Sequence, residues 1–300
     1  MAAAVVVAGG WVVLNLQGHP LHHVGRRAYT RASIALTMAA VATSQRNIAY
    51  CGRHDVAQEL DLYLPKSGPV PYPLVVFVHG GGWSFGSKSD PIVRTYGVDL
   101  VKRGMAFASL NYRLAPRYHY PVPDQDVSCA LSYLYTHAAD YHLNRSKFGL
   151  LGASAGNQLA MYAALGPASQ NQPWRSSVRG IVDFYGVANL AQAPAGSYLA
   201  RSVERFLGPN QADQAATASP VSYTNQPVPP VLIFQGNDDR HVPLLQSQEL
   251  ASDLTAAGNQ ATLVVVDHAG HGFSRHDQPS VSQIQQQVTN FFSDVFGRTS

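Results

Sequence analysis

A mostly parallel β-sheet covered by helices on both faces, within one domain, is the fold class this sequence predicts. Three observations predict it. Strand-like apolar runs alternate with helix-period segments from about residue 47 onward. One run, Leu74 to Val78, is continuously apolar, as in a strand buried on both faces. At 300 residues the chain can bury one large core, a size at which α/β folds are often single domains.

Residues 1–46 are compositionally distinct. No Asp or Glu precedes Asp55, whereas Arg26, Arg27, Arg31 and Arg46 all do. Two apolar runs lie here, Ala2 to Leu16 and Ala32 to Ala42. Both are shorter than the roughly 20 residues of a membrane-spanning helix. The second follows three arginines and ends Ala40-Val41-Ala42, which imitates a signal-peptide cleavage site. A signal peptide, however, does not carry about thirty residues ahead of its apolar run. Three readings stay open: a membrane or export segment, a misplaced start codon ahead of a signal, or helices packed as a cap over the domain that follows. His19, His22 and His23 have no carboxylate or cysteine nearby and read as loop histidines rather than metal ligands.

Residues 47–300 form the expected α/β domain. Leu60, Leu62 and Leu64 alternate with Asp61 and Tyr63, which predicts a half-buried strand. Pro65 to Pro73 is a turn before the Leu74–Val78 strand. Asp90 before Pro91 starts a helix whose pattern runs to Gly104. Met105 to Leu110 is a strand. A helix begins near Asp124, with Val127, Leu131 and Leu134 on one face. Phe148 to Leu151 is a strand, and Asn157 to Leu165 a helix. Ile181 to Tyr185 follows as a strand. Residues 187–224 are polar, Ala/Gln-rich and only partly periodic, and read as an insertion. Val231 to Phe234 is a strand, Pro243 to Ala257 a helix and Thr262 to Val266 the last strand. Val281, Ile284, Val288, Phe291 and Val295 form a final helix stripe, stopped by Gly297.

Composition narrows the function classes. Charged residues make up 13%, against roughly 25% in an average globular protein. The net charge of +3 is too small to suggest a nucleic-acid partner, and no Lys/Arg block is interleaved with aromatics. Low charge and an acid-free basic leader fit a cell-envelope or exported protein better than a cytosolic one. Cys51 and Cys129 have neither metal nor redox spacing. A disulfide between them requires Cα atoms within about 7 Å, which the sequence leaves open. Oligomeric state is not readable.

The chemistry gathers in the turns after strands. Gly152-Ala153-Ser154-Ala155-Gly156 is a G-x-S-x-G motif between a strand and a helix, the setting of a nucleophile elbow. So tight a turn needs small flanking residues, and all four neighbours are Gly or Ala. His79-Gly80-Gly81-Gly82-Trp83 leaves the central strand with three bare backbone amides. With Ala155, the amides of Gly81 and Gly82 are the proposed oxyanion donors. His79 is expected to brace that loop. A serine hydroxyl needs a base. His271, between two glycines after the last strand, is the candidate, with His268 its rival. The imidazole needs a carboxylate behind it. Asp239 follows a strand and precedes a helix, at the sheet's carboxyl edge where open α/β sheets place their sites. Asp238 and then Asp267 are the alternatives. Trp83, Tyr112 and Phe273 are candidate apolar walls for substrate.

From about Tyr50 to Gly297 the chain resembles α/β-hydrolase esterases of the HGGG type, similar in pattern to hormone-sensitive-lipase-like esterases and their feruloyl-esterase-like relatives. The resemblance rests on Leu60-Asp61-Leu62-Tyr63-Leu64-Pro65, His79-Gly80-Gly81-Gly82-Trp83 and Asn111-Tyr112-Arg113-Leu114-Ala115-Pro116. Gly152-Ala153-Ser154-Ala155-Gly156 and Ser219-Pro220-Val221 extend it. It implies Asp239 over Asp238, three residues past the strand-ending glycine, and His271 within its Gly-His-Gly-Phe turn. Departures are Asn157 in place of a further glycine, Ala153 where Asp is frequent, and Gln235 where His is common. The activity implied is hydrolysis of short-chain carboxylic esters through a Ser154–His271–Asp239 triad, with no cofactor or metal. The rate is expected to fall as pH drops through the ordinary imidazole range. A polysaccharide acyl esterase or an arylformamidase is the enzymatic alternative. A non-catalytic binding protein on the same fold is the alternative of another class. The expected partner is a small-molecule ester, with membrane association through the N-terminus left open.

Overall fold

The computed structural model describes residues 3–7, 10–14, 21–52, 55–167, 170–209 and 212–297. His19 lies outside the described residues, as do the side chains of His22 and His23. A short antiparallel pair, β1 (Ala3–Val7) and β2 (Gly10–Leu14), comes first, followed by α1 (Leu21–Val41). The main sheet then takes β3 (Ala42–Ala49), β4 (Glu59–Pro65), β5 (Tyr72–Val78), β6 (Ala106–Leu110) and β7 (Leu143–Ala153). It is completed by β8 (Val178–Phe184), β9 (Val231–Gly236) and β10 (Ala261–Val266). Their spatial order is β10-β9-β8-β7-β5-β6-β4-β3. From β10 to β6 every pairing is parallel, and β4 pairs antiparallel with both β6 and β3.

Helices α2 (Val98–Lys102), α3 (Val122–Thr136), α4 (Ala155–Leu165), α7 (Leu244–Ala256) and α8 (Val281–Gly297) cover the sheet. The continuous apolar run of β5 divides between two cores by period-2 alternation. Leu74, Val76 and Val78 face a cluster with residues of α3, α4 and α7. Val75 and Phe77 face the opposite cluster, with residues of α1, α2 and α8. Burial on both faces is why this strand carries no polar alternation.

Several sequence expectations need correction. β4 is buried on both faces rather than half-buried. Tyr63 packs in the α1/α2/α8 core, and the Asp61 carboxylate is tied to Lys88 Nζ at 2.5 Å. The boundary drawn at 46/47 falls inside β3, which pairs with β4 from Ala42 to Ala49. Its solvent-facing polar residues hide an edge strand from hydrophobic periodicity. Ile34 and Met38 of the second apolar run are buried in the α1/α2/α8 core. Among the described residues no helix is long and apolar enough to cross a membrane. The 187–224 insertion holds two helices, α5 (Tyr198–Leu207) and α6 (Ala215–Ala218). Helix α5 buries Leu199, Val203, Phe206 and Leu207 along one side. A disulfide joins Cys51 to Cys129, with Cα atoms 6.0 Å apart.

Candidate active site

Strand β7 delivers Ser154 to the sheet's carboxyl edge, and α4 begins on the next residue. Ser154 has φ 53° and ψ −125°, a left-handed conformation that a non-glycine residue adopts only when its surroundings force it. The surroundings are tight. A Cβ on Gly156 would stand 2.2 Å from the Val78 carbonyl oxygen, and one on Gly152 would stand 2.3 Å from Asn157 Cα. Small residues at both positions let the chain reverse within one turn and lift the hydroxyl clear.

His271 and Asp239 reach Ser154 from the loops after β10 and β9. Ser154 Oγ lies 2.9 Å from His271 Nε2, and His271 Nδ1 lies 2.7 Å from Asp239 Oδ2. An ionised carboxylate only accepts, so Nδ1 carries the hydrogen and Nε2 is left to accept from the serine hydroxyl. Asp239 is itself saturated. Its Oδ1 accepts from the amides of His241 at 2.8 Å and Val242 at 3.0 Å. Its Oδ2 also accepts from Gln235 Nε2 at 3.0 Å. Burial pushes this carboxyl upward, but the His271 hydrogen bond, the His271 charge and the two amides outweigh it and hold the group below its ordinary value. Asp238 and His268, the rival acid and base, are exposed. Asp267 instead accepts from Asn237 Nδ2 at 2.9 Å.

The glycine loop lies directly against the nucleophile. A Cβ on Gly80 would meet Ala153 O at 2.8 Å and Ser154 Cβ at 3.3 Å. Gly81 and Gly82 have φ of 117° and 55°, open to glycine at little cost. Among the described residues, neither amide donates to a protein acceptor. The Ala155 amide opens α4, so it has no partner within the helix either. Among the described residues these three amides make no hydrogen bond to a protein acceptor, two of them in the loop whose Gly80 lies against Ser154. His79 braces the loop, as expected. It is buried, stacks on Tyr112 at 4.3 Å and makes a 2.7 Å contact from Nδ1 to Gly80 O. Burial pushes its imidazole down to about 4, which keeps it neutral.

Two of the three candidate substrate walls are corrected. Trp83 is 0% exposed and Tyr112 1%. Neither can touch a ligand arriving from solvent. Trp83 stacks on Phe206 of α5 at 4.5 Å and donates from Nε1 to Gln158 Oε1 at 2.8 Å. Tyr112 donates its hydroxyl to His79 O at 3.0 Å. Both therefore hold the glycine loop in place. Phe273 is part-buried, edge-on to Phe184 and Tyr185.

Sequence reasoning missed four residues around the site. Gln235, noted only as a departure, orients the Asp239 carboxylate and is itself fixed by Ser247 Oγ at 2.9 Å. Gln158, one turn into α4, ties the nucleophile helix to Trp83. Tyr185 has φ 44° and its ring lies 4.7 Å from that of His271. Its place directly after β8, at the same sheet edge, was the available signal. His241 lies with its ring 5.1 Å from His271, and Tyr198 of α5 meets His241 edge-on at 4.7 Å.

The BD-FAE family model matches residues 60–254, which include the glycine loop, Ser154 and Asp239. The chain belongs to the BD-FAE family. Esterase LipC of Mycobacterium tuberculosis is 26% identical over 260 residues, covering 80% of this chain and 63% of that protein. A probable isoprenylcysteine alpha-carbonyl methylesterase of Arabidopsis thaliana, ICMEL1, is 28% identical over 257 residues, 79% of this chain and 53% of that one. This BD-FAE chain thus spans less than two thirds of either relative's length. Among solved structures, a truncated carbohydrate esterase from gut microbiota superposes with a TM-score of 0.74 at 24% identity. It covers 86% of this chain and 98% of that one. Esterase B of Lactobacillus rhamnosis gives 0.72 at 21%, over 93% and 96%. These likenesses show that this BD-FAE member has the α/β-hydrolase fold in a single domain.

Proposed function

We propose that this chain is a serine carboxylesterase that hydrolyses short-chain carboxylic esters through an acyl-enzyme. One observation carries the reading. A hydroxyl, an imidazole and a saturated carboxylate form an unbroken line, 2.9 Å and then 2.7 Å. His271 Nε2 takes the Ser154 proton as Oγ attacks the ester carbonyl carbon. The carbonyl oxygen becomes an oxyanion and accepts from the Gly81, Gly82 and Ala155 amides. Asp239 holds the imidazole ring and its tautomer and stabilises the cation. His271 then gives the proton to the departing alcohol oxygen as the C–O bond breaks. Water repeats the sequence on the acyl-Ser154 ester and frees the acid. Tyr185 lies with its ring 4.7 Å from that of His271, and Phe273 packs edge-on against Tyr185 at 5.1 Å. The names LipC and ICMEL1, both given to esterases, support the reading.

For the protein's location we favour an exported or cell-envelope reading over a cytosolic one. The Cys51–Cys129 disulfide fits an oxidising compartment, and the 1–46 segment contains no acid. Turnover of p-nitrophenyl esters of increasing acyl length, tributyrin, acetylated or feruloylated sugars and N-formyl aryl amines tests the activity. Fastest hydrolysis of the two- to four-carbon esters is expected. Faster sugar-ester or formamide hydrolysis would move the assignment within the same chemistry. No turnover of any of them would leave a binding protein.

A further inference from the structure

We propose that Asp239, His241 and His271 form an inhibitory binding site for a divalent transition-metal ion of the Zn²⁺ type. The proposed hydrolysis needs only two of these residues. His241 is the third, and it stands where the reaction gives it no task. Each of the three offers one donor atom, and these atoms all lie within 4.8 Å of one another. Donors around a tetrahedral zinc at about 2.0–2.1 Å stand roughly 3.4 Å apart. The most widely separated donors therefore close by at most about 1.4 Å.

His241 can supply that movement. Its side chain is exposed, and among the described residues neither ring nitrogen makes a hydrogen bond. Its backbone, in contrast, is pinned by the amide bond to Asp239 Oδ1 at 2.8 Å. The ring thus swings from a fixed backbone, and its centroid stands 5.1 Å from that of His271. The donor set of two imidazoles and one carboxylate suits Zn²⁺, Cu²⁺ or Ni²⁺ better than Mg²⁺ or Ca²⁺, which prefer all-oxygen shells. Asp239 Oδ2 already lies 2.7 Å from His271 Nδ1, so these two donors face one another across the place the ion would take.

An ion held by Asp239 as well takes the His271 nitrogen that faces that carboxylate, Nδ1, which lies 2.7 Å from Asp239 Oδ2. It displaces the Nδ1 hydrogen and breaks the bond to Asp239, so the base loses its carboxylate while the ion is bound and regains it when the ion leaves. The inhibition half of this inference rests on the ester-hydrolysis reading, and the binding half does not.

The test uses the full chain, freed of metal by chelator and dialysis, with Zn²⁺ followed by calorimetry and Co²⁺ by its visible absorption. One ion per chain is expected, with reversal by chelator and parallel loss of p-nitrophenyl ester turnover. His241→Phe keeps a ring against Tyr198 but removes the donors. It should retain basal turnover and bind Zn²⁺ at least about tenfold more weakly. Ser154→Ala, inactive by design, should still bind one ion, which separates this inference from the hydrolase reading. Binding unchanged in His241→Phe, or no stoichiometric binding by the wild type, would overturn it.

Discussion

Trp83 donates from its indole nitrogen to Gln158 Oε1 at 2.8 Å, so the loop carrying the two proposed oxyanion amides is bolted to the helix that begins right after the proposed nucleophile, Ser154. The same Gln158 uses Nε2 to reach Asp124 Oδ1 at 3.2 Å and Ala218 O at 3.0 Å. All of these groups are buried. Gln158→Leu would leave the indole N–H and two acceptors without a partner. A stability loss of about 1–3 kcal/mol is expected, read from the urea midpoint. Because the glycine loop is loosened, kcat should fall more than KM rises. A variant with normal kcat would show that the loop holds its position without this bond.

The acid at the far end of that network gives a pH signature. Asp124 is fully buried with Oδ2 unpartnered, and burial pushes its carboxyl up to about 8. The folded state therefore keeps it protonated across a range in which the unfolded chain, with an ordinary value of about 3.9, has released the proton. The folded state binds more protons there, so stability falls as pH rises from about 4 to about 8. Asp124→Asn keeps the acceptor for Gln158 and removes the ionisation. It should be more stable than wild type near pH 7.5, by on the order of a few kcal/mol, and equal to it near pH 4. Denaturant melts at the two pH values check this. An equal effect at both would mean that Asp124 is not held neutral.

Cys51 and Cys129 are joined across a sequence separation of 78 residues. This ties the segment between β3 and β4 to α3. Closing so long a loop restricts the unfolded chain, and losing the bond should cost about 2–5 kcal/mol. The double variant Cys51→Ser/Cys129→Ser should melt lower than wild type in the absence of reductant. Equal melting would place the stability of this region in its packing alone.

How much could be read from the sequence varied with the range of the forces involved. Ser154, His271, Asp239 and the glycine loop sit in turns whose small residues are demanded by local backbone geometry, so their motifs are compact and visible. The α/β alternation was legible for the same reason, since β5 and its neighbours are buried on both faces. Trp83 and Tyr112 looked like substrate walls because an aromatic beside a motif is ambiguous until its far side is known. That far side is Phe206 for Trp83 and His79 for Tyr112, contacts across 123 and 33 positions that no local pattern encodes. Strand β3 was lost because an edge strand with a polar surface has no apolar period. Gln235 was noted only as a departure because its bonds to Asp239 and Ser247 depend on how the chain turns back after β9, and His241 was overlooked because its neighbour His271 arrives with the loop after β10.

The most direct measurement is covalent. Wild type and Ser154→Ala are each treated with an alkyl phosphonofluoridate and analysed by intact mass and peptide mapping, with p-nitrophenyl acetate turnover followed in parallel. One adduct per chain, on Ser154, is expected in the wild type and none in the variant, whose kcat should be about 10⁴-fold or more lower. Ordinary turnover by Ser154→Ala, or an adduct elsewhere that tracks loss of activity, would contradict the account.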